Sequence, residues 1–357
     1  MSEKVLMKGN EALAEAAMQA GCRHFFGYPI TPQTEVAAYM AKQMPKRGGT
    51  FLQAESEVAA INMLMGAAST GTRAMTSSSS PGISLKSEGI SYIAGADLPC
   101  VIVNIVRGGP GLGGIQPAQS DYFQATKGGG HGDYHLIVFA PSSIQELVDL
   151  TKEAFDVADI YRMPVMIMGD GMLGQMMEPV EFGAYEAREI PEKTWATTGT
   201  KMERKHNIIN SLYIEPSTLE DLILERQKKY DEITEKEAKF DTYMTEDADI
   251  IITAYGITAR IAQTAINQAR AKGIKVGMVR PITLWPFPTK AYQALDANKV
   301  KKILCVEMSM GQMIEDVKLA VYCKIPVDFY GRTGGMVPTP AEVLAEIEKI
   351  AAEGGKN

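Results

Sequence analysis

The side chains of this chain that could do chemistry stand beside turns and strand ends. Gly27-Tyr28-Pro29-Ile30-Thr31-Pro32 forms a rigid, proline-flanked turn after an apolar strand and presents a hydroxyl at Thr31. Open α/β sheets bind ligands beyond the carboxyl ends of their strands, so this turn is a candidate binding loop. Thr31 can equally cap the following helix; an exposed helix start welcomes an anionic group, so both roles can hold together. Arg107 follows the apolar run 99–106 and precedes Gly108-Gly109-Pro110. A planar guanidinium can grip a carboxylate through two parallel hydrogen bonds, while a surface arginine at a loop start is the plainer reading. Glu55 and Glu57 open an almost wholly apolar helix, where either can simply stabilise the helix dipole.

Other patterns fail on their surroundings. Gly109-Pro-Gly111-Leu-Gly113-Gly114 has the letters of a dinucleotide fingerprint, but Pro117 stands where the phosphate-cradling helix should run. Gly169-Asp170-Gly171 opens like the metal–diphosphate signature of thiamine enzymes, yet the next Asn is Asn207, too far on to complete it. A strand end turning into a loop is the favoured reading. His131 and His135 are set among Gly128, Gly129, Gly130 and Gly132, which argues against a helical metal pair and for a flexible loop over a pocket. The cysteines, Cys22, Cys100, Cys305 and Cys323, include no C-x-x-C, so any metal cluster is expected on a partner.

The elements that must position these residues alternate. Helix 10–20, capped by Asn10 and closed by Gly21, precedes strand 24–28 and a helix starting at Pro32; strand 50–53, helix 57–69, strand 73–77, helix 86–94, strands 99–106 and 136–140, helix 143–158 and strand 164–168 follow. Strands alternating with helices of this length predict a parallel sheet covered on both faces. Charged, irregular sequence with one helix at 219–233 intervenes. The alternation then resumes with strands 250–254, 275–279, 302–306 and 327–330 and helices 257–271, 312–321 and 340–352. The expected units are 1–190, a connector 191–245, and 246–357. At about 150 residues per domain, 357 residues agree with two domains.

Composition narrows the function. A net charge of −7 disfavours a basic field for nucleic acid or anionic lipid. No apolar run approaches the ~18 residues that cross a bilayer, and Met1-Ser2-Glu3-Lys4 lacks the apolar stretch of a signal peptide. A cytoplasmic protein with no nucleic-acid or membrane partner is expected.

One resemblance organises these features. Tyr28-Pro-Ile-Thr-Pro32, Glu55-Ser-Glu57-Val-Ala-Ala60 leading to Gly66-Ala67, Ser78-Ser-Ser-Pro-Gly82, Ser87-Glu88-Gly89-Ile90 and Arg107-Gly-Gly-Pro110 closely resemble the alpha subunit of 2-oxoacid:ferredoxin oxidoreductases. Val279-Arg-Pro-Ile-Thr-Leu-Trp-Pro-Phe-Pro288 and Glu307-Met-Ser-Met-Gly-Gln312 resemble that family's second domain. The match covers nearly the whole chain in order.

The resemblance implies an α/β fold: a parallel-sheet, pyrimidine-type thiamine diphosphate domain followed by a transketolase-C-terminal-like α/β domain. It implies a partner beta subunit holding the diphosphate, its Mg²⁺ and a 4Fe–4S cluster, with no metal site on this chain. Coenzyme A is the implied co-substrate and ferredoxin the implied electron acceptor; a ferredoxin-like subunit is left open. Glu57 matches the glutamate that shares a proton with the pyrimidine ring, with Tyr28, Pro29, Gly108 and Gly109 as further cofactor neighbours. Arg107 and Thr31 match the substrate-binding positions. The implied reaction is oxidative decarboxylation of a 2-oxo acid to acyl-coenzyme A and carbon dioxide. Leu112 and Ile115, with no further Lys or Arg before Lys127, lean towards 3-methyl-2-oxobutanoate. 2-Oxoglutarate, a non-oxidative thiamine enzyme subunit and a non-catalytic structural subunit stay open.

Overall fold

The computed structural model describes residues 4–183 and 185–354; the outermost residues of both expected units, 1–3 and 355–357, and Ala184 lie outside the described residues. In chain order the first half runs β1 (Val5–Lys8), α1 (Gly9–Gln19), β2 (His24–Gly27), α2 (Thr34–Gln43), β3 (Thr50–Gln53), α3 (Glu57–Ser69), β4 (Ala74–Ser78), α4 (Pro81–Gly95), β5 (Cys100–Val106), α5 (Tyr122–Thr126), β6 (Ile137–Phe139), α6 (Ile144–Tyr161), β7 (Pro164–Asp170), α7 (Gly171–Gln175) and β8 (Met177–Val180). The second runs α8 (Pro216–Lys236), β9 (Phe240–Tyr243), β10 (Ile250–Thr253), α9 (Gly256–Ala271), β11 (Val276–Pro281), β12 (Thr283–Trp285), α10 (Thr289–Gln293), β13 (Lys302–Glu307), α11 (Met313–Ala320), β14 (Val327–Gly331) and α12 (Pro340–Gly354).

A seven-stranded sheet has the order β12-β6-β7-β5-β4-β2-β3 and is parallel apart from β12. Every residue of its central strand β5 is buried, as a strand covered on both faces must be. Alternate residues serve opposite cores: Val101, Val103 and Ile105 join α1, α2 and α6, while Cys100, Ile102 and Val106 join α3 and α4. Helices α3 and α4 approach closely at Gly89, where a methyl would lie 2.5 Å from Ile61. The second sheet, β14-β13-β10-β11-β9, is parallel except for β9. One apolar cluster runs through both halves and includes Tyr122, Tyr255 and Met313.

Helix α3 starts and ends where the apolar run predicts, because Ser56 caps it by accepting the Ala59 N–H at 3.1 Å. Other elements depart from expectation. Asn10 does not cap α1: it is buried inside it, donating to Pro32 O at 2.8 Å and Glu35 at 2.9 Å. Pro32 does not open the second helix either, which begins at Thr34 behind Gln33, so Thr31 lies in the preceding turn and caps nothing. Helix α4 starts at Pro81, earlier than expected, because proline suits a first helical position. The stretch read as a connector ends in β9, which pairs with β11, and β12 reaches back to pair with β6 of the first sheet. Non-local pairing of short strands leaves little local periodicity to read.

Candidate functional site

Neighbouring parallel strands β5, β4 and β2, with β3 beyond, end at one edge of the first sheet. Their carboxyl ends deliver Arg107, the Ser78-Ser79-Ser80 turn, the Tyr28–Pro32 turn and the approach to Glu57. Glu57 lies in the first turn of α3 and is 6% exposed. Its carboxyl rests on the backbone of Gly82: a methyl there would lie 2.8 Å from Glu57 Oε1 and 2.1 Å from Ser78 Oγ. A side chain at position 82 would therefore have to displace Ser78 or Glu57. Ser78 Oγ and Ser79 Oγ are buried with no hydrogen-bond partner among the described residues.

Ser80 connects this group to the arginine. It holds φ 26° and ψ −83°, a sparsely populated conformation for a non-glycine residue, and its N–H donates to Asn104 Oδ1 at 3.1 Å. The Arg107 N–H donates to Ser80 Oγ at 3.0 Å. Asn104 in turn donates to Asp121 at 3.0 Å; burial lifts the Asp121 carboxyl above its ordinary range, and hydrogen bonds from Ser80 and Asn104 oppose the rise.

Arg107 is 7% exposed. Its Nη1 donates to Thr31 O at 2.9 Å and Nη2 to Leu112 O at 3.1 Å, while Nε has no partner among the described residues. It makes no ion pair among the described residues. Thr31 and Arg107 are thus brought together, through the threonine carbonyl. Beyond Arg107 the chain folds into a closed loop: Arg107 bridges to Pro117, Gly108 N donates to Gln116 O at 3.0 Å, and Gly114 N donates to Gly108 O at 2.9 Å. At Gly113, φ is +57° and a methyl would lie 1.9 Å from Gly108 O. The glycine letters that imitate a dinucleotide fingerprint serve this loop. Gly108 is buried, and Gly335 of the second half packs so closely that a methyl there would lie 2.4 Å from Gln116 Cβ. Gly109 is half-buried, and nothing lies within 4 Å of a methyl built on it.

Tyr28 is half-buried and Pro29 exposed in the β2 turn, which Gln33 braces by donating to Tyr28 O at 3.3 Å. A cavity of about 530 Å³ opens beside Thr31, lined by Pro32, Ile115, Met172, Gln175 and Val337. Leu112 is 83% exposed on the Arg107 loop.

Asp170, of the incomplete thiamine signature, ends β7 and caps α7, accepting from Met172 N at 2.9 Å and Leu173 N at 3.0 Å. Burial pushes its carboxyl up to about 6. His135 stacks on Trp285 with centroids 4.4 Å apart, in a loop that is not helical. Among the described residues no three His, Cys, Asp or Glu side chains gather as metal ligands, and no helix is long and apolar enough to cross a membrane.

Several residues here were not singled out from the sequence for their roles. Gln119 joins the two halves: Nε2 donates to Tyr255 O at 2.9 Å, and Oε1 accepts from Met308 N at 3.0 Å and Thr258 Oγ1 at 3.3 Å. Glu307 is buried and gathers the N–H groups of Gln312, Met313 and Ile314 at the start of α11. Lys86 is wholly buried on α4. Its readable signal is a lysine in an apolar helical stripe with Ile83, Ile90 and Ile93.

A covered parallel sheet with ligand-facing turns at its carboxyl edge, joined to a smaller α/β unit, is a two-part α/β enzyme architecture. It matches a structure described as split gene transketolase, inactive beta4 tetramer, at TM-score 0.60 and 17% identity over 96% of this chain and 97% of that one, which speaks for the fold alone. Residues 15–246 match the family described as pyruvate flavodoxin/ferredoxin oxidoreductase, thiamine diphosphate-binding, and residues 248–343 match pyruvate:ferredoxin oxidoreductase core domain II. The chain belongs to the 2-oxoacid:ferredoxin oxidoreductase family, as an alpha-type subunit. It is 48% identical to ketoisovalerate oxidoreductase subunit VorB of Methanothermobacter marburgensis, over 98% of each chain. It is 36% identical to 2-oxoglutarate synthase subunit KorA of Methanothermobacter thermautotrophicus, over 98% of this chain and 100% of that one. Among solved structures, 2-oxoglutarate:ferredoxin oxidoreductase from Magnetococcus marinus, with 2-oxoglutarate, coenzyme A and succinyl-CoA bound, matches at TM-score 0.88 and 29% identity. The match covers 98% of this chain, which spans 65% of that one.

Proposed function

We propose that this chain is the alpha-type subunit of a cytoplasmic enzyme that oxidatively decarboxylates 3-methyl-2-oxobutanoate to its acyl-coenzyme A and carbon dioxide, two electrons passing to ferredoxin. The observation that carries the reading is a buried guanidinium without a carboxylate, Arg107, on the same sheet edge as a buried carboxyl, Glu57. Two carbonyls fix the guanidinium plane and consume two of its five N–H donors, so the others can take a substrate carboxylate in a defined orientation. Thr31 stands beside that position. Glu57, pressed between Gly82 and the α3 start, would hold a proton against a pyrimidine ring nitrogen, with Tyr28, Pro29, Gly108 and Gly109 lining the approach. When bound, thiamine diphosphate supplies the electron sink that decarboxylation needs. The residues present fit the pyrimidine end of that cofactor, with the Ser78 hydroxyl left unpartnered beside Glu57 among the described residues. Its diphosphate and Mg²⁺, and a 4Fe–4S cluster, are assigned to a beta-type partner.

Substrate choice follows from the loop. Leu112 and Ile115 are exposed and apolar, and the next cation, Lys127, is engaged with Asp316, so it is not free to meet a second substrate carboxylate. The names of the relatives at 47–48% identity support the same substrate.

The test is to assemble the chain with its partner subunits and follow ferredoxin reduction with a panel of 2-oxo acids. Coenzyme A-dependent reduction with the highest kcat/KM for 3-methyl-2-oxobutanoate is expected. Preference for 2-oxoglutarate would overturn the substrate, and turnover needing no electron acceptor would favour a non-oxidative thiamine enzyme. Full activity in Glu57→Ala or Glu57→Gln would reduce the chain to a structural subunit.

A further inference from the structure

Lys86 is a buried amine that the proposed chemistry has not used. Its Nζ donates to Thr76 Oγ1 at 2.8 Å and to Ser77 O at 3.1 Å, and it makes no ion pair among the described residues. An unpaired buried cation is costly, so a lysine in this stripe calls for a reason. Its acceptors are consecutive residues of β4 that lead directly into Ser78, and Lys86 lies one helical turn beyond Gly82. Ser78 and Gly82 are the residues against which the Glu57 carboxyl sits. Burial drives the amine down to about 7, and Glu57 on α3 is the charge that pulls it back up. The neighbouring β4 side chains, Thr76 and Ser77, are neutral, and Ser77 donates onward to neutral Gln33 at 2.5 Å. A glutamine or methionine could tie or fill this gap between α4 and β4, but neither brings a titratable positive charge behind Glu57.

We propose that Lys86 is a positioning residue for Glu57: its ammonium, anchored on Thr76 and Ser77 next to the Ser78 and Gly82 positions that hold the carboxyl, steadies Glu57 and governs its proton exchange with a heterocycle nitrogen. The inference rests on the assignment of Glu57 in the proposed function. It assigns Lys86 no contact with substrate or cofactor. Coupling between the two groups is reciprocal, so it can be read from the lysine.

Lysine side-chain NMR on the full chain, with Lys86→Met to assign the signal, gives the titration of Lys86 without turnover. The wild-type midpoint is expected near 7 and should fall by about one pH unit in Glu57→Gln, once the opposite charge is gone. In the assembled enzyme, Lys86→Met and Lys86→Gln should both displace the acid limb of the kcat/KM–pH profile by about one pH unit, with KM for the 2-oxo acid within about twofold of wild type. A Lys86 titration unmoved by Glu57→Gln overturns the inference, as do variant pH profiles that superimpose on wild type after correction for folded protein. Full turnover by Glu57→Gln would remove the role of Glu57 and this inference with it. An unmoved Lys86 midpoint alongside an inactive Glu57→Gln enzyme would remove this inference alone.

Discussion

Gly82→Ala is the most direct perturbation of the Glu57 carboxyl. The backbone at position 82 lies outside the left-handed region, so alanine is conformationally allowed and the effect is steric. The added methyl would meet Ser78 Oγ at 2.1 Å, Glu57 Oε1 at 2.8 Å and Glu57 Cγ at 3.2 Å. The serine hydroxyl can turn away, but the glutamate must move by several tenths of an ångström. Overpacking of this kind costs about 1–3 kcal/mol, and the gain in helix propensity over glycine returns up to ~1 kcal/mol, leaving a net loss of about 0–3 kcal/mol. Activity is far more sensitive, since misplacing a catalytic group by about 1 Å can cost about a hundredfold. The assays are urea unfolding of the chain and ferredoxin-linked turnover of the assembled enzyme. Adding Ser78→Ala removes the shortest clash, but the contact with Oε1 remains. The double variant should regain stability and stay slow. Ser78→Ala alone removes a hydroxyl that has no partner and should be nearly neutral in stability. Wild-type kcat/KM in Gly82→Ala would refute the placement of Glu57 as the carboxyl that matters.

Arg107→Met should lower kcat/KM about a hundredfold or more, from the loss of about 3 kcal/mol in charge-assisted hydrogen bonds, and Arg107→Lys should recover only part of it because an ammonium lacks the planar fork. A KM within twofold of wild type in Arg107→Met would count against carboxylate binding there. Asp170 lies at 3% exposure with its carboxyl pushed up to about 6 from an ordinary 3.8. The folded chain therefore holds that proton more tightly than the unfolded chain. The stabilisation is fully present below about pH 3.8 and is lost as pH rises through about 6, amounting to ~3 kcal/mol. Asp170→Asn should accordingly gain on wild type between pH 4 and pH 7 in urea titrations, and a difference flat with pH would contradict the burial argument. Gln119→Leu strands Tyr255 O and Met308 N in the seam between the two halves and should cost about 2–4 kcal/mol by the same titration.

What could be read in advance follows from which signals are local. Helix α3 was legible because Ser56, Glu57 and an almost wholly apolar run carry its start and its extent in one stretch of chain. Strand β5 was legible because a strand buried on both faces is a plain apolar run. The side chains of Asn10 and Gln119 were not, because their partners lie 22 and 136 residues away. Periodicity treats a buried amide as a surface residue or a cap. β9 and β12 escaped for a similar reason: each takes its place by pairing with a distant strand. At the candidate site, motif likeness proposed Glu57, Thr31 and Arg107. That Arg107 meets Thr31 through a backbone carbonyl is information only the fold holds.

The pattern of ion pairing separates what the fold needs from what a ligand must supply. Among the described residues the other buried arginines both meet carboxylates, Arg226 at Asp97 and Arg280 at Glu146 and Asp241. These pairs clamp α8 to the end of α4 and the second half to α6, and a structural cation paired in this way leaves no charge for anything else. Arg107 is as buried as they are and has carbonyls where they have carboxylates. Carbonyls orient a guanidinium without neutralising it. A chain selected only to fold would gain by placing an acid beside it; this one places Thr31, Leu112 and an apolar loop there instead. The missing negative charge is therefore expected to arrive from outside the chain, which a 2-oxo acid does. The uncharged side chain of the proposed substrate, 3-methyl-2-oxobutanoate, would need nothing more from the loop than Leu112 and Ile115 can give.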